Sequence, residues 1–238
     1  IIMKRGQATI FIIIGAIVLF VVITTFIIFN KYTTSDEIAE GIVYPLEAEE
    51  YYYQVEECIV SSSEISLSNL KMGGGYYQTP EPYFDATFLK VPYVLYEGIQ
   101  YPITIETVEA EFEKYLKLEI FSCIEDLDLT FNTEDLELDS KLNEDYIEVS
   151  VVLPTTVTMV NNTYSFEDYY VEVDTGLYEI LNLQQQILDL HTTEGMPLSE
   201  ILYLFEGSDL ELDMNMDEED VLYSINGFQF MVGYEWLE

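Results

Sequence analysis

The sequence of 238 residues predicts an α+β protein: an N-terminal transmembrane helix with a helical stalk, then an extracytoplasmic domain of helices and an antiparallel meander. Three observations predict it. An uncharged, apolar run of 22 residues, Ala8 to Phe29, opens the chain. Apolar spacing is helical from about 36 to 70 and from 104 to 124, then alternates among β-branched residues from 136 to 173. Charge divides near Lys31: residues 1–31 hold Lys4, Arg5, Lys31 and no acid, whereas residues 32–238 hold five lysines against 45 acids, a net −40.

That balance excludes nucleic acid as a partner, because a phosphate binder needs a basic face to displace counterions. The chain is not an acidic disordered tail either, since 49% of it is hydrophobic, with 20 Tyr and 13 Phe.

Residues 8–30 are expected to cross a lipid bilayer. A 22-residue helix is about 33 Å long against a hydrocarbon core of about 30 Å. A secretory signal has a shorter apolar core, and Phe29-Asn30-Lys31-Tyr32 offers no small-residue cleavage site. Lys4 and Arg5 keep residues 1–7 cytoplasmic and put the acidic remainder outside the cell membrane. Met3 is the expected initiator. The start Lys4-Arg5-Gly6-Gln7 before an apolar helix resembles a class III (type IV prepilin) signal. The resemblance implies peptidase cleavage between Gly6 and Gln7. It departs from many pilins in placing Phe11 where they carry Glu.

Residues 31–75 are expected as a helical stalk and 76–238 as the outer domain. Leu46, Val55, Ile59, Ile65 and Leu70 form the stalk's apolar stripe, Pro45 begins or kinks the helix, and Gly73-Gly74-Gly75 ends it. Tyr76 to Phe84 is an aromatic, proline-bearing loop, and Val91 to Gly98 reads as an edge strand or extended segment. Thr104 caps a second helix to Ile124, with Val108, Phe112, Tyr115, Leu116 and Ile120 on one face. Leu136–Leu142, Tyr146–Val160 and Tyr164–Val173 form the meander, with Asn161-Asn162 as its last tight turn. Leu177–Leu190 is a third helix facing the core with Ile180, Leu181, Leu183, Ile187 and Leu188, and Pro197–Phe205 a fourth. Strands at 210–214, 221–225 and 228–234 close the chain, the last two joined by a type I′ turn at Asn226-Gly227.

Several segments together resemble a group of membrane-anchored proteins of unassigned activity in small-genome (DPANN-type) archaea. They are the Lys-Arg-Gly-Gln start, Val55-Glu56-Glu57-Cys58-Ile59, Gly74-Gly75-Tyr76, Val91 to Gly98, and Phe121-Ser122-Cys123-Ile124. The resemblance implies the topology and supplies no catalytic residue. A Cys-x-x-Cys associated with that group near the third helix is absent here, where Pro197, Leu198 and Ser199 stand.

Cys58 and Cys123 are the only cysteines. On the outer side they are expected to join as a disulfide, the alternative being two buried thiols. His191, the only histidine, cannot build a zinc site alone and is expected against the last carbonyls of its helix. Asp213 to Asp217 copies the opening of a calcium loop, but Glu218 and Ser224 stand where the loop needs Gly and Glu. It reads as a polar connection, with weak divalent-cation binding across Asp217 to Asp220. Asn161-Asn162-Thr163 is a glycosylation sequon with Asn161 as acceptor. Tyr51-Tyr52-Tyr53, Tyr76-Tyr77 and Tyr83-Phe84 are either packing groups or a partner or glycan surface.

No catalytic, cofactor-binding or metal-ligating set emerges. The expected function is a non-catalytic outer domain for envelope structure or partner binding, with identical subunits or other envelope proteins as partners. The alternatives are a pilin-like filament subunit and an extracytoplasmic hydrolase working with paired carboxylates.

Overall fold

The structure is a computed structural model that describes residues 46–233 apart from 126, 128, 132, 160–161, 195–197 and 218–219. The expected membrane span at 8–30, the Gly6–Gln7 processing site and Asn161 lie outside the described residues. Among the described residues no helix is long and apolar enough to cross a membrane.

Helix α1 runs from Leu46 to Met72. Its inner face holds Val55, Cys58, Ile59, Leu67 and Leu70, and between them Ser62, Ser63 and Ser66 are also buried. Two of these serines bond back to their own helix. Ser63 Oγ donates to the Ile59 carbonyl at 2.7 Å and Ser66 Oγ to the Ser62 carbonyl at 2.6 Å. Small side chains with internally bonded hydroxyls let the neighbouring helix approach without orphaned polar groups. Ile65, expected on this stripe, is 46% exposed. Six residues on from Ile59 is about 240° around the helix, on the far side.

Helix α2, Ile105–Ile124, is capped as expected: Thr104 Oγ1 accepts from the Thr107 N–H at 3.2 Å. Val108, Phe112, Leu116, Ile120 and Ile124 recur every four residues and are fully buried. α1 and α2 pack as an antiparallel pair: Cys58 is bonded to Cys123 near one end, while Gly73 lies beside Tyr115 near the other.

Strands β1 (Tyr83–Asp85), β2 (Lys90–Tyr96) and β3 (Ile99–Gln100) precede α2; β4 (Thr130–Phe131), β5 (Glu137–Leu142), β6 (Tyr146–Met159) and β7 (Asn162–Asp174) follow it. Helices α3 (Leu177–Glu194) and α4 (Leu198–Leu204) lead to β8 (Leu212–Met216), β9 (Asp220–Ile225) and β10 (Phe228–Gly233). Two sheets result. In one, β5, β6 and β7 form the antiparallel meander, with β4 sharing the β5 edge of β6. β6 alternates without a break, burying Ile147, Val149, Val151, Leu153, Thr155 and Val157. The other sheet has the order β1-β2-β10-β9-β8, with β3 also on β2. The architecture is α+β, as the segregation of helices and strands predicts.

Four expectations are corrected. The helix read as a stalk is, over Leu46–Met72, packed on α2, β7 and β10. β2 is not an edge: β10 pairs with it in parallel, and Val91 through Leu95 are all buried, as a strand covered on both faces requires. Its proline is tolerated because the Tyr93 N–H points towards β1, donating to the Pro82 carbonyl at 3.1 Å, so the missing N–H of Pro92 faces the other way. There Gly74 closes the gap. It has φ +60, and a Cβ would stand 2.2 Å from the Gln229 carbonyl oxygen and 2.7 Å from the Pro92 ring, so only glycine fits. Asn162 belongs to β7, not the turn, since it pairs with Met159. Residues 213–216 lie in β8 instead of forming a polar connection, and an extended strand cannot wrap a cation as a calcium loop does. The Asn226-Gly227 turn is as expected, with positive φ at both residues.

Candidate functional site

The antiparallel helix pair decides where chemistry-bearing side chains stand. The Cys58–Cys123 disulfide, with Cα atoms 5.9 Å apart, fixes α1 against α2. At the opposite end of the pair α1 stops at the three glycines. The Gly75 N–H returns to the Leu70 carbonyl at 2.8 Å and the chain turns into the aromatic loop.

That loop builds an open recess of about 450 Å³, lined chiefly by Tyr76, Tyr77, Thr79, Phe88, Lys90 and Tyr115. Tyr77 meets Tyr115 edge to face, with ring centroids 4.9 Å apart. Glu111 anchors the loop by accepting the Tyr77 N–H at 2.9 Å, and the Tyr115 hydroxyl donates to the Tyr76 carbonyl at 3.4 Å. Burial, and then the Glu111 carboxylate, pushes the Tyr76 phenol up. The Tyr115 phenol is raised by burial, Tyr77 and Glu111. On the far wall Lys90 Nζ sits 4.1 Å from the Tyr83 ring centroid and donates to the Tyr83 hydroxyl at 2.9 Å, which keeps its charge on. Phe88, at the tip of the β1–β2 turn, is 98% exposed. The recess offers aromatic faces, one cation and a few polar groups, which is recognition chemistry. It holds no nucleophile paired with a base.

The tyrosines divide between packing and display. Tyr52 stacks on Tyr169 at 5.0 Å and packs on Phe166 at 5.7 Å, whereas Tyr53, one residue on, is 61% exposed. Tyr76, Tyr77 and Tyr83 border the recess or its lysine wall, and Phe84 is 38% exposed. His191 is buried in α3, and its Nε2 lies 2.6 Å from the Tyr223 hydroxyl of β9. Its place is the helix–sheet interface, between α3 and a Tyr223 ring stacked on Phe230 at 5.2 Å. Asp220, read as a weak cation ligand, accepts from the Tyr93 hydroxyl at 2.9 Å. Burial, with that bond second, raises the Tyr93 phenol. Among the described residues no three His, Cys, Asp or Glu side chains are grouped to hold a metal ion.

Sequence reasoning missed two arrangements. Glu109 and Glu113 of α2 bind the backbone of β5, and Tyr170 with Glu172 displays a phenol and a carboxylate on β7. The first carried no sequence signal, since any of the 45 acids fits it. The second is visible as the solvent half of the alternation Tyr170-Val171-Glu172. Comparison with protein-family models, curated proteins and solved structures found no match.

Proposed function

We propose that the chain is a single-pass, membrane-anchored surface protein of an archaeal envelope, whose acidic outer domain binds a partner and catalyses nothing. The observation that carries this reading is the Cys58–Cys123 bond, because disulfides persist in oxidising, extracytoplasmic compartments and are rare in the cytosol. It agrees with the apolar run 8–29, the positive Lys4-Arg5 flank and the carboxylate-rich remainder. Displayed aromatics such as Phe88 and Tyr53 supply rigid, amphipathic contact area of the kind partner surfaces use.

The test is protease treatment of intact cells. Residues 32–238 are degraded while an N-terminal fragment survives; full protection of that region overturns the topology. The second reading, a pilin-like subunit, is favoured by Lys4-Arg5-Gly6-Gln7 alone. N-terminal sequencing separates the two: a mature start at Gln7 assigns the filament, and an intact start upstream assigns the anchor.

A further inference from the structure

A second open recess, of about 510 Å³, lies between α1 and β7, lined by Tyr53, Glu56, Glu57 and Val60 from the helix and Tyr170, Val171 and Glu172 from the strand. Successive strand residues point to opposite faces of a sheet. A recess that touches Tyr170, Val171 and Glu172 together therefore runs along the edge of β7, not over one of its faces. β7 is paired with β6, and among the described residues no strand pairs with its other edge. The helix wall is a single stripe, since Tyr53 and Glu57, and Glu56 and Val60, are each one turn apart.

The groove continues along α1. A neighbouring recess of about 460 Å³ shares Tyr53 and Glu57 and adds Glu49, Glu50 and Gln54. From Glu49 to Val60 the helix rises about 16 Å, the length of about five residues of extended chain. Five carboxylates border this trough, with Tyr53 and Tyr170 exposed between them and no cation in the lining.

We propose that this trough is a strand-addition site. An extended, Lys/Arg-bearing segment of a partner protein pairs its backbone with the open edge of β7, sets its basic side chains on Glu56, Glu57 and Glu172, and lays apolar ones against Tyr53 and Val60. Edge pairing supplies backbone hydrogen bonds without regard to sequence, and the wall of the groove supplies the selectivity. Charge decides the occupant. Residues 32–45 of this chain carry Asp36, Glu37 and Glu40 and no basic residue, and a second copy brings another net −37, so both have the wrong sign. The proposal deepens the partner-binding reading above and rests on it.

The test uses the full chain in lipid nanodiscs and a short, alternating Lys-Val peptide as probe, at about 0.15 M salt. The peptide binds and slows amide exchange at Tyr170–Glu172. A version N-methylated at every amide keeps its charge but can donate along neither edge, and it binds at least about tenfold more weakly. The double variant Glu56→Gln/Glu57→Gln loses about tenfold, and Glu211→Gln/Asp213→Asn at β8 of the other sheet, outside the trough lining, loses nothing. Equal binding of the methylated peptide reduces the effect to unspecific charge attraction and overturns strand addition. Equal weakening by both double variants overturns the location, and peptide-blocked dimerisation in sedimentation assigns the edge to a second copy instead. Because the purified chain is used, failure here leaves the membrane topology to the protease experiment.

Discussion

Glu113 of α2 accepts two hydrogen bonds from Ser140 of β5 with one carboxylate oxygen, from the backbone N–H at 3.0 Å and from the hydroxyl at 3.1 Å. One turn earlier, Glu109 accepts the Leu142 N–H at 2.7 Å. The match is geometric. Four residues of helix rise about 6 Å, and two residues of strand about 6.8 Å, so carboxylates a turn apart meet alternate amides of a strand. β5 is an outer strand of the meander, and these bonds occupy amides that an edge leaves unpaired.

Glu113→Ala strands the buried Ser140 amide, while the hydroxyl keeps the Glu109 carbonyl as acceptor at 3.4 Å, and lowers stability by about 1–3 kcal/mol. Glu113→Gln keeps an acceptor oxygen and retains most of that stability. Urea unfolding measures both, and equal losses for the two variants would show that the bonds contribute nothing specific.

Reducing the Cys58–Cys123 bond releases a constraint across 65 residues. The chain-entropy model sets the expected loss at about 4 kcal/mol. Reductant is expected to lower the unfolding midpoint sharply, and native mass spectrometry to show no alkylation without it. Alkylation of both thiols in unreduced protein would contradict the bond.

Tyr170 is pushed up to about 12 by partial burial, by its hydrogen bond to Glu172 at 3.0 Å, and by the nearby Glu148 and Glu172 carboxylates. A phenol whose folded pKa is raised contributes stability that is complete below its unfolded value of about 10 and is lost as pH rises through the folded one. Stability therefore declines between about pH 10 and 12. In a spectrophotometric titration the Tyr170→Phe variant lacks a late-ionising component, and an unchanged curve would remove Tyr170 from this role.

A net −40 over residues 32–238 repels itself in the folded state. Screening length falls from about 8 Å at 0.15 M salt to about 3 Å at 1 M. The thermal midpoint is expected to rise with sodium chloride, and more per unit of ionic strength with calcium or magnesium. A midpoint indifferent to salt would rule out repulsion as a stability term.

What was legible in the sequence is the part written by periodicity. The four-residue recurrence from Val108 to Ile120 marks α2, and the alternating or apolar runs of β-branched residues from 136 to 173 mark the meander, whose burial then alternates along β6. What was not legible is pairing between distant segments. Nothing local to Val91–Tyr96 says that residues 228–233 will lie beside it, so the proline suggested an edge. The burial of Ser62, Ser63 and Ser66 is not legible either, because the Ser63 and Ser66 hydroxyls find their carbonyls only once the helix exists. The aromatic clusters were visible, but which tyrosine packs and which is displayed depends on the rotation of α1, which places Tyr52 inward and Tyr53 outward.

The parallel pairing of β2 with β10 carries a consequence for assembly. β10 lies between β2 and β9, so one flank of Val91–Tyr93 has no neighbouring strand until residues 228–233 have been made, β3 reaching only the Leu95–Tyr96 end. A nascent chain can form the helix pair and the meander from local contacts, but its second sheet closes last, by insertion of its final strand. A ribosome-stalled or truncated product ending before Phe228 therefore presents an apolar strand with an unpaired side, ready for capture by a chaperone or another chain.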